Sequence, residues 1–385
     1  MTGSLQIQND KYYMVINLYE DGKRKPKWIN TDLPVKGNKR AAQQMLNEYL
    51  ANSEKTEALY KRKKTAAQGL TLLTYMVQWL ESRKGSIEEG TYAAYDGMIK
   101  GRLTTFFGKE NPKLADFSPQ HLEDFYRWMR GEKLTGNTLV HYHACIRKAL
   151  NHAFKTGLVL ENVADKVDRP KKDKYIASYY DKGELDVLFE KSKGDALELV
   201  IYVTAFYGLR RSETLGLKWD AIDFQNKTVT IRHKVTDAIV DGKLTIIAKD
   251  KLKTKSSNRT LPLLPQIEER LLAERERQKR NKKLCKKSYQ QSDYIFVNDL
   301  GEPIKPDFVS AHFKYFIGKN GLRKIRFHDL RHSCASLLLS LGIPMKQIQD
   351  WLGHSNFSTT ADLYAHLDYS TKLLSGDAIS GAFAG

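Results

Sequence analysis

The chain has 385 residues, too many for one ordinary domain, and at about 150 residues per domain it should hold two or three. Lys and Arg outnumber Asp and Glu by 63 to 45, a formal charge of +18, while hydrophobic residues make up 41% and are spread along the chain, which excludes a disordered chain and favours a folded protein with a polyanionic partner. Cys145, Cys285 and Cys334 form no CxxC pattern, no apolar run approaches the roughly 18 residues of a membrane span, and the N-terminus lacks a signal peptide's apolar core, so the expectation is a reducing cytoplasm and a nucleic-acid rather than lipid partner.

In chain order, "KYYMVINLYEDGKRKPKWINTDL" sets β-branched and aromatic residues around Asp21-Gly22, a hairpin signal, and a third short strand is predicted around Lys27 to Thr31. "NKRAAQQMLNEYLANSE" has helical spacing, with Ala42, Met45, Leu46, Tyr49 and Leu50 on one face. Residues 1–60 thus read as a small three-stranded sheet with one helix. Its Lys23, Arg24, Lys25, Lys27, Lys39 and Arg40 could line a DNA groove, since a β-ribbon fits the major groove; charge alone supports a solvated basic surface equally well.

"KRKKTAAQG" at residues 61–69 reads as a linker, and residues 70–168 carry no convincing strand. Helices are predicted at "LTLLTYMVQWLESRK", "EGTYAAYDGMIKGRLTTFFG", "SPQHLEDFYRWMRGEK" and "TGNTLVHYHACIRKALNHAFKTGLV", an all-α domain. Ser118 should cap the third with Pro119 at its first position, and Gly136-Asn137 or Thr138 the fourth. "DRPKKDKY" marks a boundary, with residues 169–175 as the linker.

Residues 176–385 mix helices and strands into a mainly helical α+β domain. "GELDVLFEKSKGDALELVIYVTAFYGL" reads as helical, while "KTVTIRH" and "KLTIIAKDKLKTK" alternate as strands do. A helix near 264–280 should lead into a flexible basic loop, "RQKRNKKLCKKSYQQ", which is also a possible phosphate contact.

"FHDLRHSCASLLLSLGI" spaces His328 and Arg331 three residues apart, one face of a helix. "AFYGLRRSETLGLKW" holds Arg210 after a Gly-Leu step and before Glu213, at the end of an apolar helix. Lys253, in "DKLKTKSSNRTLPL", lies between two strands, where a hairpin tip would project it outward. His354 follows Gly353 at an expected helix start, and Tyr364 closes "LGHSNFSTTADLY". Singly, each fits an ordinary surface or packed position. Together they place two arginines, two histidines, a lysine and a phenol in one half of the chain.

These residues resemble the tyrosine recombinases, or phage-type integrases. The family's Gly-Leu-Arg-x-Ser-Glu stands here as Gly208 to Glu213, its His-x-x-Arg as His328 to Arg331, and its "LGHS" and distal "YxH" as Leu352 to Ser355 and Tyr364 to His366. Tyr207, where many relatives carry Thr, and Arg211, beside Arg210, are departures that remove no catalytic group. The resemblance implies that Tyr364 attacks a DNA phosphodiester, that Arg210 and Arg331 bind the charge developing on the phosphate, and that His328 accepts the phenol's proton. Lys253 would protonate the leaving 5′ oxygen, with Lys249, Lys251 and Lys255 nearby; His354 would hydrogen-bond the phosphate or orient Tyr364, and Glu213 would orient Arg210 or His328. The phosphotyrosyl link keeps the energy of the broken bond, so no cofactor and no metal are expected, in keeping with a sequence lacking a P-loop, HExxH or acidic cluster.

The resemblance further implies that residues 70–168 are a core-binding domain, residues 1–60 an arm-type DNA-binding domain and residues 176–385 the catalytic domain with a C-terminal tail. The implied partners are double-stranded DNA, further copies of the chain in a homotetramer, and an excisionase and a host DNA-bending protein, in a bacterial cytoplasm at the nucleoid. The layout looks most like integrases of Gram-positive conjugative transposons and temperate phages. A type IB topoisomerase, using much the same residues, and a non-catalytic architectural protein are the alternatives.

Overall fold

The computed structural model describes residues 2–20, 23–51, 69–173, 178–240, 242–249, 258–353 and 380; for residues 2, 18–20 and 23–25 it describes the backbone only. The chain forms two compact units, Met1–Asp173 and Lys174–Gly385.

In the first unit, β1 (Thr2–Gln8), β2 (Lys11–Glu20) and β3 (Lys23–Pro34) form an antiparallel sheet in that order. The strand count matches the sequence reading but the allotment differs. Residues 23–34 make one strand rather than two, and the third strand is β1. Asn9 and Asp10 join β1 to β2 at φ 48° and 57°, the double left-handed geometry that a two-residue hairpin turn needs and that Asn and Asp tolerate. Helix α1, residues 39–51, sets Leu46 against Met14 and Ile16, with Leu5, Ile29, Tyr49 and Leu50 around them. Met45, expected on that face, is 38% exposed instead.

The rest of the unit is helical: α2 (Leu72–Glu81), α3 (Glu89–Met98), α4 (Thr104–Phe107), α5 (Pro119–Gly131) and α6 (Gly136–Lys155). A π turn at Ile99–Leu103 interrupts the expected continuous second helix, because Gly101 takes a non-helical ψ of −116°. Ser118 stands at the N-cap of α5 with Pro119 following, and its N–H donates to His121 Nδ1 at 3.1 Å. The cap of α6 is Thr135, one residue before the expected positions, with Oγ1 accepting from the Thr138 N–H. Leu72, Met76, Leu122, Phe125, Ile146 and Ala149 are in one buried core; burial of each large apolar side chain contributes about 1.5–3 kcal/mol.

The second unit is built around α8 (Glu198–Tyr207), apolar on all sides and therefore central: seven of its residues, from Val200 to Tyr207, are buried. α7 (Lys182–Ser192) precedes it, started by reciprocal bonds between Asp181 and Glu184 and separated from α8 at Gly194, φ 76°. After α9 (Arg211–Leu215) come β4 (Ile222–Asp223), β5 (Thr228–Ile231), β6 (Lys234–Val240), β7 (Lys243–Lys249) and β8 (Arg259–Pro262). Then follow α10 (Pro265–Cys285), α11 (Pro306–Lys319), α12 (Asp329–Ser340) and α13 (Met345–Leu352).

Two expectations are corrected here. β7 pairs with β6 whereas β8 pairs with β5 in the sheet β4-β5-β8, so β7 and β8, the strands on either side of Lys253, are not partners in one hairpin. The basic stretch from Arg277 is no flexible loop as far as Cys285, since α10 continues through it. Opposite charges three apart hold it: Arg277 meets Glu274 at 2.7 Å and also Asp299 at 2.5 Å, and Lys279 meets Glu276 at 2.7 Å. Among the described residues, no helix is long and apolar enough to cross a membrane.

Candidate active site

Four chain segments of the second unit meet where α8 ends. Gly208 closes α8 in the left-handed region, φ 60° and ψ 33°. A Cβ there would stand 2.3 Å from Leu352 Cδ2 and 3.1 Å from Cys334 Sγ, so both the backbone conformation and the space demand glycine. The turn delivers Arg210 to the N-cap of α9, and one turn later Glu213 is buried beneath it.

Glu213 is the hub. Its Oε1 accepts from Arg210 Nη1 at 2.5 Å, and its Oε2 accepts from the Arg210 N–H at 3.2 Å and from Arg259 Nη2 at 3.0 Å. Burial by itself would push the carboxyl's pKa up, but Arg259, Arg210 and Arg331 outweigh it and hold it below the usual carboxylate range. It therefore stays ionised and serves to orient Arg210.

Arg331, on the first turn of α12, is 2% exposed and donates to Gly208 O at 2.6 Å and Leu352 O at 2.8 Å. Burial, and then the Arg210 cation, lower its pKa to about 9, which leaves it charged at neutral pH. Arg210 Nη2 reaches Gly353 O at 3.4 Å, and Arg259 Nε reaches Trp351 O at 2.8 Å. Three consecutive carbonyls at the end of α13 thus each accept from a different arginine. The last carbonyls of a helix form the negative end of its dipole, so a cluster of cations there is stable. Among the described residues, three guanidiniums surround one carboxylate at this point, an arrangement suited to an anion. The Arg210 side chain keeps 35% of its exposure and can meet a ligand; the Arg259 side chain keeps 7%.

His328 stands at the N-cap of α12 beside His332, with ring centroids 5.4 Å apart and planes at 89°. Protein atoms crowding the ring, then His332 and Arg331, lower its pKa to about 4. The residue keeps solvent access, which offsets part of the crowding, yet the adjacent cationic groups push the same way. A neutral imidazole at pH 7 can accept a proton.

The structure therefore brings Arg210, Glu213 and Arg331 together, with His328 on the helix that carries Arg331. Lys253, His354 and Tyr364 lie outside the described residues. Gly353, at φ 69°, ends α13, and the expected helix start at His354 lies outside the described residues. In the first unit Lys27, Lys39 and Arg40 are exposed, Lys27 pairing across the sheet with Ile16, while Lys23, Arg24 and Lys25 are described in backbone only. Tyr207 links α8 to the chain after β8: its hydroxyl donates to Pro262 O and accepts from the Leu264 N–H, both at 3.0 Å. Arg211 points elsewhere, to Asp237 at 2.9 Å, Pro306 O at 2.8 Å and Ser310 at 2.6 Å. Arg259 is the residue that sequence reasoning missed; an arginine at the start of a four-residue strand carries no local mark of burial. Among the described residues, no group of three His, Cys, Asp or Glu could hold a metal ion.

The Phage integrase family matches residues 185–371, and the Phage integrase SAM-like domain matches residues 71–168. A tyrosine recombinase XerC-like protein of Caldanaerobacter subterraneus is 26% identical over 317 residues, 78% of this chain and 80% of that one. The ICEBs1 integrase of Bacillus subtilis is 25% identical over 272 residues, 70% and 72% of the two chains. Among solved structures, the Tn1549 transposon integrase in complex with a circular intermediate DNA superposes with a TM-score of 0.67 at 17% identity, over 81% of this chain and 100% of that one. A lambda integrase dimer bound to a COC′ core site gives 0.59 at 17% identity, over 93% of each chain. The chain belongs to the tyrosine recombinase, or phage integrase, family. It is a site-specific recombinase, an enzyme that cuts and rejoins DNA strands by means of a tyrosine.

Proposed function

We propose that this recombinase integrates and excises a mobile element at DNA attachment sites, with Tyr364 as nucleophile. The phenol oxygen attacks the scissile phosphorus, a 3′-phosphotyrosyl bond forms, and the 5′ oxygen leaves with a proton from Lys253. A 5′-hydroxyl from the partner duplex then attacks the phosphotyrosine and restores the phenol. One such exchange makes a Holliday junction and a second resolves it. The observation that carries this reading is the meeting of Arg210 and Arg331 on adjacent carbonyls at the end of α13, immediately before the segment that holds His354 and Tyr364. Both guanidiniums are charged at working pH and match phosphate geometry. A scissile phosphate would exchange with the carbonyls for their N–H groups, His354 would bind it too, and His328 would take the phenol's proton.

Residues 1–60 would bind arm-type sites through Lys23, Arg24, Lys25, Lys27, Lys39 and Arg40, and residues 70–168 would clamp the core site with the catalytic domain, residues 176–385; residues 61–69 and 169–175 are the linkers. Four copies would assemble on DNA in a bacterial cytoplasm at the nucleoid, with an excisionase and a host DNA-bending protein setting direction. The test is a nicked duplex carrying the element's sequenced junction. Wild type should trap a covalent adduct and Tyr364→Phe none. An adduct with Tyr364→Phe refutes the nucleophile, and supercoil relaxation without exchange between two sites would replace recombination by topoisomerase activity.

A further inference from the structure

We propose that Arg259 is a positioning residue for strand cleavage, fixing Glu213 and the end of α13 so that Arg210 is left available to the scissile phosphate. This inference rests on the recombination chemistry above.

Arg259 is enclosed where Arg210 is open, its side chain at 7% exposure against 35%, so it is not placed to meet DNA itself. It ties two elements distant in sequence: Nε donates to Trp351 O at 2.8 Å, at the end of α13, and Nη2 donates to Glu213 Oε2 at 3.0 Å, in α9. The other Glu213 oxygen holds Arg210. With Arg259 present, two cations share the carboxylate's charge. Without it, the buried carboxylate would draw Arg210 inward as its main counter-ion and neutralise the cation that the phosphate needs. The same deletion would remove the first of the three carbonyl holds, at Trp351, and loosen the backbone from which the segment carrying His354 and Tyr364 departs. A static ion pair explains the contact with Glu213, but not why a single guanidinium also spans to the helix end beside the two holds made by Arg331 and Arg210.

The experiment uses full-length protein and two nicked half-site duplexes built on the element's junction, one with a normal scissile phosphate and one with a methylphosphonate, whose methyl group removes one negative charge. DNA affinity, single-turnover adduct formation and thermal unfolding are measured for wild type, Arg259→Ala and Arg259→Lys. Arg259→Ala should bind DNA as wild type does and form adduct roughly 10- to 100-fold more slowly on the phosphate, the scale of a misplaced catalytic group. On the methylphosphonate, which asks less of Arg210, that deficit should largely vanish. Arg259→Lys, which keeps the cation beside Glu213 but loses the fixed fork that spans from Glu213 to Trp351 O, should lie between. An equal deficit on both substrates, tracking the unfolding temperature, overturns positioning in favour of a folding role, and Arg259→Lys still decides the matter if the alanine variant does not fold. Wild-type rates in Arg259→Ala refute this inference alone, whereas no adduct from wild type refutes the recombination reading beneath it.

Discussion

Gly208→Ala adds one methyl group at φ 60°, in a backbone region that costs an L-residue about 1–2 kcal/mol. The methyl would lie 2.3 Å from Leu352 Cδ2 and 3.1 Å from Cys334 Sγ, inside a packed core, and overpacking of that kind costs about 1–3 kcal/mol more. The sum is roughly 2–5 kcal/mol, a large share of a typical domain's stability. Gly194→Ala is the internal control: it shares the left-handed conformation, φ 76°, but its Cβ would meet nothing within 4 Å, so only the conformational cost applies. Urea unfolding of the two full-length variants, followed through the Tyr207–Trp351 ring stack at 6.0 Å, should separate them by about 1–3 kcal/mol, and comparison within one unit cancels the contribution of the other. Gly208 O also accepts from Arg331, so Gly208→Ala should slow adduct formation while Gly194→Ala leaves it unchanged. Leu352→Ala removes the clashing atom, and the double variant should be less destabilised than the two single losses add up to. Equal midpoints for Gly208→Ala and Gly194→Ala, or strict additivity with Leu352→Ala, would refute the steric argument.

Three further outcomes are expected. His328 titrates near 4 when folded but near its ordinary value of about 6.5 when unfolded, so its contribution to stability is intact above that value and is lost as pH falls towards about 4. His328→Gln should flatten the part of the urea-midpoint profile between pH 7 and 5 that this residue causes, and the acid limb of kcat/KM for cleavage should lie below the ordinary histidine value; a limb at or above that value contradicts the neutral-base assignment. Tyr207→Phe leaves Pro262 O and the Leu264 N–H without their shared hydroxyl, a loss of about 1–3 kcal/mol by denaturation with cleavage per folded molecule unchanged. Arg211→Ala should lower the unfolding temperature, because it frees Asp237 and the start of α11, yet retain cleavage; Arg210→Ala should lose roughly 10²–10³-fold in rate. Equal cleavage defects at 210 and 211 would refute the division of labour between the two arginines.

The parts of the site legible in the sequence are those carried by local geometry. Gly208, Arg210 and Glu213 belong to one turn, and a left-handed cap followed by a three-residue spacing can be read from letters alone. The Gly208 and Leu352 oxygens that accept from Arg331, and the Trp351 oxygen that accepts from Arg259, are main-chain atoms of remote segments, which no residue type announces. The fold shows the same divide. Ser118-Pro119 marks the start of α5 because capping is local, whereas the stronger Asp21-Gly22 signal draws the predicted strands around itself and hides the turn at Asn9-Asp10. The charge run after Arg277 looks solvated in isolation; Asp299, more than twenty positions away, helps to keep it helical.

The hold on α13 takes main-chain oxygens, which every residue type possesses. Exchanging the side chains of residues 351 or 352 leaves those acceptors in place. An inserted or deleted residue between Met345 and Gly353 does not, because it turns the helix end by about 100° and slides it by ~1.5 Å. The arginines therefore constrain the length of this helix through its main chain, independently of which side chains it carries at its last residues, and α13 acts as a ruler that sets how far its end lies from Arg210, Arg259 and Arg331.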